Sequence, residues 1–528
     1  MAGQLFSIKD SIDNLTQTNS RYWRGGEMRR IVSSRSTKKC NGMSRLTLRY
    51  IWLVISGFAV LSGIFYFEAY FSVSQHLPSS IPIHHDDYTN YAGGATAFQW
   101  SWNRPFSTYV IHLLGLAGPA WLSGAIRFFS VLFVLFSWVL LCQVVRPRAY
   151  WLMFIAFGTA VFSTPVIVEY ARYTGMITHL LSGCLGLAAV VSLFRSAVLY
   201  QEGRSGLWWL FLSVSLLILS SLAKEDFILF YALSLVYAVL RWPVQRKRLF
   251  AAACIGLLSC IALIAASKFL ASSSFLGVAD NASSYYINLT PASVIQTVWH
   301  YLIGASHPSM HMHGKLVAFT FGAATIVAIA LAVCQRAVPR TAYFVLATLT
   351  LIAPYSVLPN HVNAYYELVW LPMVFAAAVA ATTEIFLLLP NSSAWRSRAP
   401  ILVLLALAVV FSVVDYPRRA NIVDWYDTRA QSNARVLGIL EENRSRINAA
   451  RAVCVTGADA FSPWFMHSGE YLRNVMDLRT QWYLILEATS PLYVGVLVGA
   501  NSSNGQTILT TSTKQISEPC LHINLDSK

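Results

Sequence analysis

The sequence predicts a polytopic α-helical membrane protein. Of its 528 residues, 56% are hydrophobic and 12% are charged, and the mean hydropathy is +0.52. The apolar residues fall into long runs, and a helix needs about 20 of them to cross a hydrocarbon core about 30 Å thick. Because lipid offers no hydrogen bonds to the backbone, helices are the structure expected for these runs. A soluble multidomain protein is excluded.

The runs predict about eleven transmembrane helices in a membrane domain over residues 49–416. They cover residues 50–70, 126–145, 151–168, 176–194, 207–222, 227–240, 250–270, 316–334, 342–358, 368–389 and 401–414. A polar, arginine-rich segment, 1–48, precedes the first run. We therefore expect no cleavable signal peptide, and we predict that this segment is a disordered cytoplasmic tail.

Residues 106–122 are apolar but contain His112, two glycines and Pro119. If this segment does not cross, the basic clusters between the later runs join the tail on the cytoplasmic side, as the positive-inside rule requires. We therefore predict an interfacial helix within a first outer loop over 72–125. The same clusters account for the net charge of +15. The expected partners thus include membrane lipids and no nucleic acid, and the expected location is the plasma membrane, in bacteria the inner membrane.

This topology collects polar elements on the outer side. They are the loop of Asp86 and Asp87, residues 169–173, residues 224–226, a second outer loop over 271–315, and residues 363–367. Residues 417–528 have ordinary polarity, with a helical pattern over 428–450 and strand patterns at 452–456, 493–498, 507–510 and 521–525. We predict a small extracytoplasmic α/β domain there.

Asp86 and Asp87 are adjacent carboxylates at the predicted membrane face. A second negative charge and partial burial raise the pKa of one such carboxyl towards neutrality, which suits a general base acting on an acceptor hydroxyl. A pair of acids also suits a divalent cation. The remaining alternative is a solvated acidic loop that keeps the segment out of the membrane.

The segment from residue 84 to 130 resembles the GT-C superfamily of membrane glycosyltransferases. The resemblance lies in Asp86, Asp87 and Tyr88, a tryptophan-rich stretch containing Trp102, and then Arg104 with the proline that follows it. The nearer likeness is to bacterial enzymes that add glucose to O-antigen, which have glycine at the position of Asn103. Protein O-mannosyltransferases and the lipid A aminoarabinose transferase are more distant.

The resemblance implies a hexosyltransferase that uses a polyprenyl-phosphate sugar and a saccharide, lipid or protein acceptor. It makes Asp86 the expected base and Asp87 its partner or a sugar ligand, with Tyr88 and Trp102 near the substrate. No cofactor is implied, and a divalent cation at the acids stays open.

Lys224 lies between two predicted spans, where a cation would stabilise the departing lipid phosphate. The alternative is a lysine that extends from a helix end towards water beside a local ion pair. Arg104 and Arg172 are the next candidates for phosphate contact. Residues expected to line the sugar pocket are Tyr173, Glu225, Tyr365, Tyr366 and Glu367; for the tyrosines, an interfacial aromatic belt is the alternative.

Other polar residues give weaker signals. His307, His311 and His313 include an i, i+4 pair, but no carboxylate is close in sequence, so we predict no metal site and instead a polar loop over the donor. The eight cysteines contain no CxxC pair. Cys454 and Cys520 in the C-terminal region leave a disulfide open.

Two rival functions remain. A transporter or flippase for a lipid-linked saccharide would usually carry charges near the bilayer midplane and repeated halves, whereas here the charges gather at one face and no repeat is visible. An O-antigen polymerase or ligase would depend on outer-loop arginines rather than on an aspartate pair.

Overall fold

The computed structural model describes the helical part of the chain and five strands. The residues described are 55–66, 104–117, 119–145, 150–164, 176–242, 246–270, 287–303, 311–335, 338–359, 366–388, 395, 398–415, 438–439, 442–449, 452–456, 481–485, 494–497, 509–511 and 521–524. All contacts reported below lie within residues 60–528.

Fourteen helices are described within these ranges. In chain order they are α1 Ile55–Tyr66, α2 Pro105–Ala117, α3 Pro119–Val145, α4 Tyr150–Phe162, α5 Met176–Gln201, α6 Leu207–Ala223, α7 Ile228–Arg241, α8 Arg246–Leu270, α9 Pro291–Leu302, α10 His311–Gln335, α11 Arg340–Ser356, α12 Glu367–Leu388, α13 Arg398–Asp415 and α14 Arg444–Ala449. A 3₁₀ turn, Glu225–Phe227, joins α6 to α7.

Five of the described helices contain segments long and apolar enough to cross a membrane. These segments are Gly124–Val145, Met176–Gln201, Met312–Cys334, Glu367–Leu388 and Arg398–Asp415. The chain is therefore a multi-pass membrane protein. Every run predicted from the sequence overlaps a helix, while the total of about eleven crossings stays a prediction.

Two predicted segments differ from the helices that the structure describes. The single helix expected over 106–122 is two elements: α2 ends at Ala117 and α3 begins at Pro119, because proline at the first helical position favours a new start. At 13 residues, α2 is about 20 Å long, too short to cross the bilayer by itself. The outer loop expected over 271–315 also contains the short helix α9 and the start of α10.

Buried hydroxyl groups hydrogen-bond one helix to another. Ser213 of α6 donates to the carbonyl of Ala189 on α5 (2.7 Å) and lies 2.9 Å from the Tyr231 hydroxyl of α7. Ser234 of α7 lies 2.9 Å from the Tyr343 hydroxyl of α11. Because lipid tails give packed helices no hydrophobic advantage, such bonds and close packing hold helices together in a membrane.

Glu384 of α12 fixes the beginning of α11. Its carboxylate accepts hydrogen bonds from the backbone N–H of Arg340 (2.9 Å) and from the N–H and hydroxyl of Thr341 (3.1 and 2.7 Å). The two N–H groups are donors that a helix leaves without an intrahelical partner in its first turn. The contact sets the position of α11, whose far end carries Tyr355.

The C-terminal region forms a five-stranded sheet in the order β4-β3-β2-β1-β5. The strands are β1 Ala452–Thr456, β2 Gln481–Ile485, β3 Val494–Leu497, β4 Leu509–Thr511 and β5 Leu521–Asn524. β1 lies parallel to β2 and β5, whereas β3 is antiparallel to both of its neighbours. Four strands coincide with predicted segments, but β2 was missed. An extracytoplasmic domain over 417–528 stays a prediction.

Two glycines let α5 approach α3 and the turn between α6 and α7. A Cβ at Gly183 would lie 2.6 Å from the Phe133 ring, and one at Gly186 would lie 2.6 Å from both Cβ and Cγ of Phe227. Phe227 directly follows Asp226 in the turn. The close approach therefore brings the turn against α5.

We predict that Gly186→Ala destabilises the protein by about 1–3 kcal/mol, because Phe227 Cβ cannot rotate away from the added methyl group. Chemical unfolding in detergent micelles, followed by tryptophan fluorescence, measures the change. Gly322→Ala in α10 is the matched control: nothing lies within 4 Å of its added Cβ. An equal loss of stability in both variants would contradict the packing argument.

Candidate functional site

The centre of the candidate site is the turn that follows α6. Lys224 has an extended backbone (φ −166°, ψ 148°) between the end of α6 and the 3₁₀ turn. Ser182 of α5 donates a hydrogen bond to the Lys224 carbonyl (2.8 Å), and Ser107 of α2 donates one to the Ala223 carbonyl (3.1 Å). Two neighbouring helices thus hold the turn in place.

The Lys224 ammonium is enclosed by one carboxylate and three aromatic rings. The residue is 5% exposed. Its Nζ lies 3.5 Å from Asp226 Oδ2, and 5.3 and 5.4 Å from the ring centres of Tyr355 and Tyr366. It is also 2.7 Å from Nε2 and 3.0 Å from Nδ1 of His179. One alternative from the sequence required Lys224 to extend towards water beside a local ion pair. The ion pair with Asp226 is present, but the side chain is buried.

His179 meets Lys224 with its ring face. Lys224 Nζ is almost equally distant from both ring nitrogens. At such short distances, this places it over the ring rather than along the lone pair of either nitrogen. The ring edge is turned to Asp226, with Nδ1 2.9 Å from Oδ2. An ionised carboxylate accepts only, so Nδ1 carries the proton in this assignment. A neutral His179 is the form compatible with an ammonium on its face.

Asp226 collects the polar contacts of the site. Besides the His179 bond, its Oδ2 accepts a hydrogen bond of 2.5 Å from the Tyr355 hydroxyl. The residue is 2% exposed. A buried carboxylate is tolerated when it is paired and hydrogen-bonded, and Asp226 meets both conditions.

Burial and neighbouring charges shift the pKa values of the turn. Burial lowers the pKa of Lys224 to about 8; the Asp226 and Glu225 carboxylates oppose this change, and the Arg104 guanidinium adds to it. Burial would raise the pKa of Asp226, but the Lys224 ammonium and the hydrogen bonds from His179 and Tyr355 outweigh it and hold that pKa well below its usual range. The aspartate is therefore ionised at neutral pH, and the lysine is mostly so.

A wall of tyrosines closes the site on another side. Tyr355 of α11 and Tyr366, which directly precedes α12, stack with ring centres 4.1 Å apart. Tyr301 of α9 lies 6.3 and 6.4 Å from these two rings. Helices far apart in the sequence thus contribute one aromatic surface beside the lysine.

Arg104 brings a second cation to this part of the bundle. It directly precedes α2, and its carbonyl accepts a hydrogen bond of 2.8 Å from the Thr108 hydroxyl. Its guanidinium is close enough to lower the pKa of Lys224. Its Nε is buried and has no hydrogen-bond partner among the residues described. Such a donor suits an anionic ligand.

A second buried cluster is centred on His313. His313 of α10 places Nε2 2.6 Å from Glu367 Oε1 and Nδ1 2.8 Å from Asp415 Oδ2. The His313 and Asp415 side chains are fully buried, and that of Glu367 is 6% exposed. Two ionised carboxylates can both accept only if both ring nitrogens carry protons. Glu367 directly follows Tyr366, so the cluster fixes the residue next to the tyrosine wall.

The structure describes five of the predicted site residues: Arg104, Lys224, Glu225, Tyr366 and Glu367. It brings Arg104, Glu225 and Tyr366 around Lys224, whereas Glu367 belongs to the second cluster. The predicted residues Asp86, Asp87, Tyr88, Trp102, Arg172, Tyr173 and Tyr365 lie outside the described residues, as do His307 and Cys520. The side chains of His311 and Cys454 are likewise not described.

The prediction that His313 belongs to a polar loop was wrong, because it is a buried residue of α10. Its carboxylate partners come from α12 and α13 and were not visible in the local sequence. His179, Asp226 and Tyr355 were also missed as site residues. The signal available was a histidine inside an apolar run and an aspartate two residues after Lys224. In the described ranges, no group of three or more His, Cys, Asp and Glu residues is arranged to hold a metal ion.

No protein-family model and no curated protein matches the chain. Among solved structures, it is similar to ArnT from Cupriavidus metallidurans. The crystal structure bound to undecaprenyl phosphate has 13% sequence identity and a TM-score of 0.44, covering 82% of this chain and 93% of that one. The apo structure has 13% identity and a TM-score of 0.45, covering 83% and 93%.

We predict that His313→Leu destabilises the protein by about 3–5 kcal/mol, because it leaves two buried carboxylates without their shared partner. The midpoint of chemical unfolding in detergent measures the loss. Glu202→Gln is the control, since it breaks the exposed pair with Arg204 (3.6 Å), for which we expect a change of at most about 1 kcal/mol. Similar small effects in both variants would show that the buried cluster does not stabilise the fold.

Proposed function

We propose that the protein is a membrane glycosyltransferase that moves a sugar from a polyprenyl-phosphate donor to an acceptor hydroxyl. The observation that carries the proposal is the pairing of two cations, buried Lys224 and half-buried Arg104, at one part of an apolar helical bundle. This arrangement suits a lipid phosphate, because the lipid chain can stay in the bilayer while the two cations stabilise the negative charge of the phosphate.

Lys224 and Arg104 would bind the donor phosphate in different ways. An arginine offers a planar fork of donors, and the Nε of Arg104 is without a partner in the described structure. A lysine offers a compact charge, which is stronger in a poorly hydrated site than in water. Negative charge that develops on the phosphate as the sugar leaves would therefore be stabilised where Lys224 lies.

The sequence resemblance supports the chemical step. In this step, Asp86 removes the proton of the acceptor hydroxyl while the acceptor oxygen forms a bond to the anomeric carbon of the donor sugar. The bond from that carbon to the phosphate oxygen breaks, and its electron pair remains on the polyprenyl phosphate. This transfer inverts the anomeric centre. Asp87 assists Asp86 or binds the sugar, and the tyrosine wall offers flat surfaces to the sugar ring.

The predicted topology supports an active site on the outer side of the plasma membrane. The acceptor is then a saccharide, lipid or protein of the cell surface, and the protein would act in cell-envelope polysaccharide synthesis or a related glycosylation. The C-terminal α/β region and the second outer loop would shape the acceptor site.

We expect Asp86→Asn to lower sugar transfer by about 10²–10⁴-fold, the usual effect of removing a general base. Purified protein in lipid nanodiscs is incubated with a panel of radiolabelled polyprenyl-phosphate sugars and an acceptor extract, and release of polyprenyl phosphate is measured. Donor binding should stay within a few-fold of wild type. Full transfer by the variant would remove Asp86 as the base and favour a polymerase or ligase.

We expect Lys224→Met to weaken donor binding by roughly 10–100-fold, because one charge-assisted hydrogen bond to phosphate contributes about 1.5–3 kcal/mol. Binding is measured by thermophoresis in nanodiscs. Lys315→Met, the same change at an exposed lysine of α10, is the matched control and should bind as wild type. Unchanged affinity in Lys224→Met would overturn the proposed phosphate site.

A further inference from the structure

We propose that Asp226 is a positioning residue of this site: with His179 and Tyr355 bonded to it, it keeps Lys224 charged and so sets the pH range over which the site binds a phosphate ester. The inference rests on the proposed function, in which Lys224 is the phosphate-binding cation. It assigns roles in phosphate binding to three residues that act through Lys224.

Asp226 makes short hydrogen bonds to Tyr355 and His179 but compensates the charge of Lys224 from a longer distance. Asp226 Oδ2 accepts its short bonds from Tyr355 (2.5 Å) and His179 (2.9 Å). Its distance to Lys224 Nζ is 3.5 Å, longer than the roughly 2.7–2.9 Å of a short charge-assisted bond. The carboxylate thus supports the charge on Lys224 without a short N–H···O bond to the ammonium.

The hydrogen-bonding protons on His179 and Tyr355 leave Lys224 as the group that carries the positive charge. The ring face of His179 is against Nζ and its Nδ1–H points to Asp226, so a proton added to this imidazole would place two cations in contact. Tyr355 donates its hydroxyl proton to Asp226 and stays neutral. Asp226 is therefore arranged to stabilise one cation, the lysine.

Groups from every surrounding element act on Lys224. Burial lowers its pKa to about 8, Asp226 and Glu225 in its own turn raise it, and Arg104 beside α2 lowers it. His179 on α5, Tyr355 on α11 and Tyr366 before α12 contribute neutral rings, and Tyr301 on α9 packs against the two tyrosines. Lysine is charged below its pKa, so anion affinity is constant at acidic and neutral pH and falls about tenfold per pH unit above about 8.

Asp226→Asn tests the inference, because it removes the negative charge and keeps the shape. The probe is decyl methyl phosphate, a phosphodiester that carries one negative charge throughout the pH range, and its dissociation constant is measured from pH 6 to 9.5. For wild type we expect a plateau that ends near pH 8. For the variant we expect the plateau to end at least about one pH unit lower, since an opposite charge shifts a pKa by about 1–3 units.

We expect lower pH to restore probe binding in Asp226→Asn, because it protonates Lys224. At pH 7.5 the variant should bind the probe at least about threefold more weakly than wild type, and the difference should shrink towards pH 6. A residue that only maintains the fold would weaken binding by the same factor at every pH, and that result would overturn the inference. If Asp226→Asn does not fold, Asp226→Ser removes the same charge with a smaller side chain, and an unshifted profile there would equally overturn the inference.

Arg104→Met is the control of opposite sign. Removing this cation should weaken binding at every pH but move the end of the plateau to higher pH, because Arg104 lowers the pKa of Lys224. The two proposals fail separately. A protein that binds the probe with the expected pH profiles but transfers no sugar from any donor would overturn the proposed function alone. An active transferase whose Asp226→Asn profile is unshifted would overturn this inference alone.

Discussion

The burial of the Lys224 ammonium is the constraint on which the arrangement of the site depends. Burying an isolated charge in an apolar environment is strongly unfavourable. A buried charge is therefore found with a counter-ion that is itself hydrogen-bonded. Asp226 is that partner, and it is held in turn by His179 and Tyr355. The position of a single cation therefore requires that α5, α11 and the turn after α6 come together.

The same requirement explains several features at a distance. The glycines of α5 allow the turn to approach until Phe227 packs against them. Serines from α2 and α5 bind the carbonyls of Ala223 and Lys224. Glu384 fixes the other end of the helix that carries Tyr355. Packing, capping and charge thus act on one turn from different elements.

The second cluster uses the same chemistry for a different purpose. His313 joins Glu367 and Asp415 from three helices, and its burial indicates a role in holding the helices rather than in contacting a ligand. Because Glu367 follows Tyr366, the two clusters share a stretch of backbone. The tyrosine wall is thereby linked to Asp226 through Tyr355 and to the His313 cluster through the backbone between Tyr366 and Glu367.

The sequence alone determined the helical membrane class, the approximate helix positions, most strands and the placement of Lys224 in a turn between helices. These follow from hydropathy and residue type, which are local properties. Only the tertiary structure decided that His179, Asp226 and Tyr355 surround Lys224, since Asp226 is 47 and 129 residues from the other two. The His313 cluster likewise joins residues 54 and 102 apart. Partners at such separations are chosen by how helices pack, and that choice cannot be read from the pattern within any one helix.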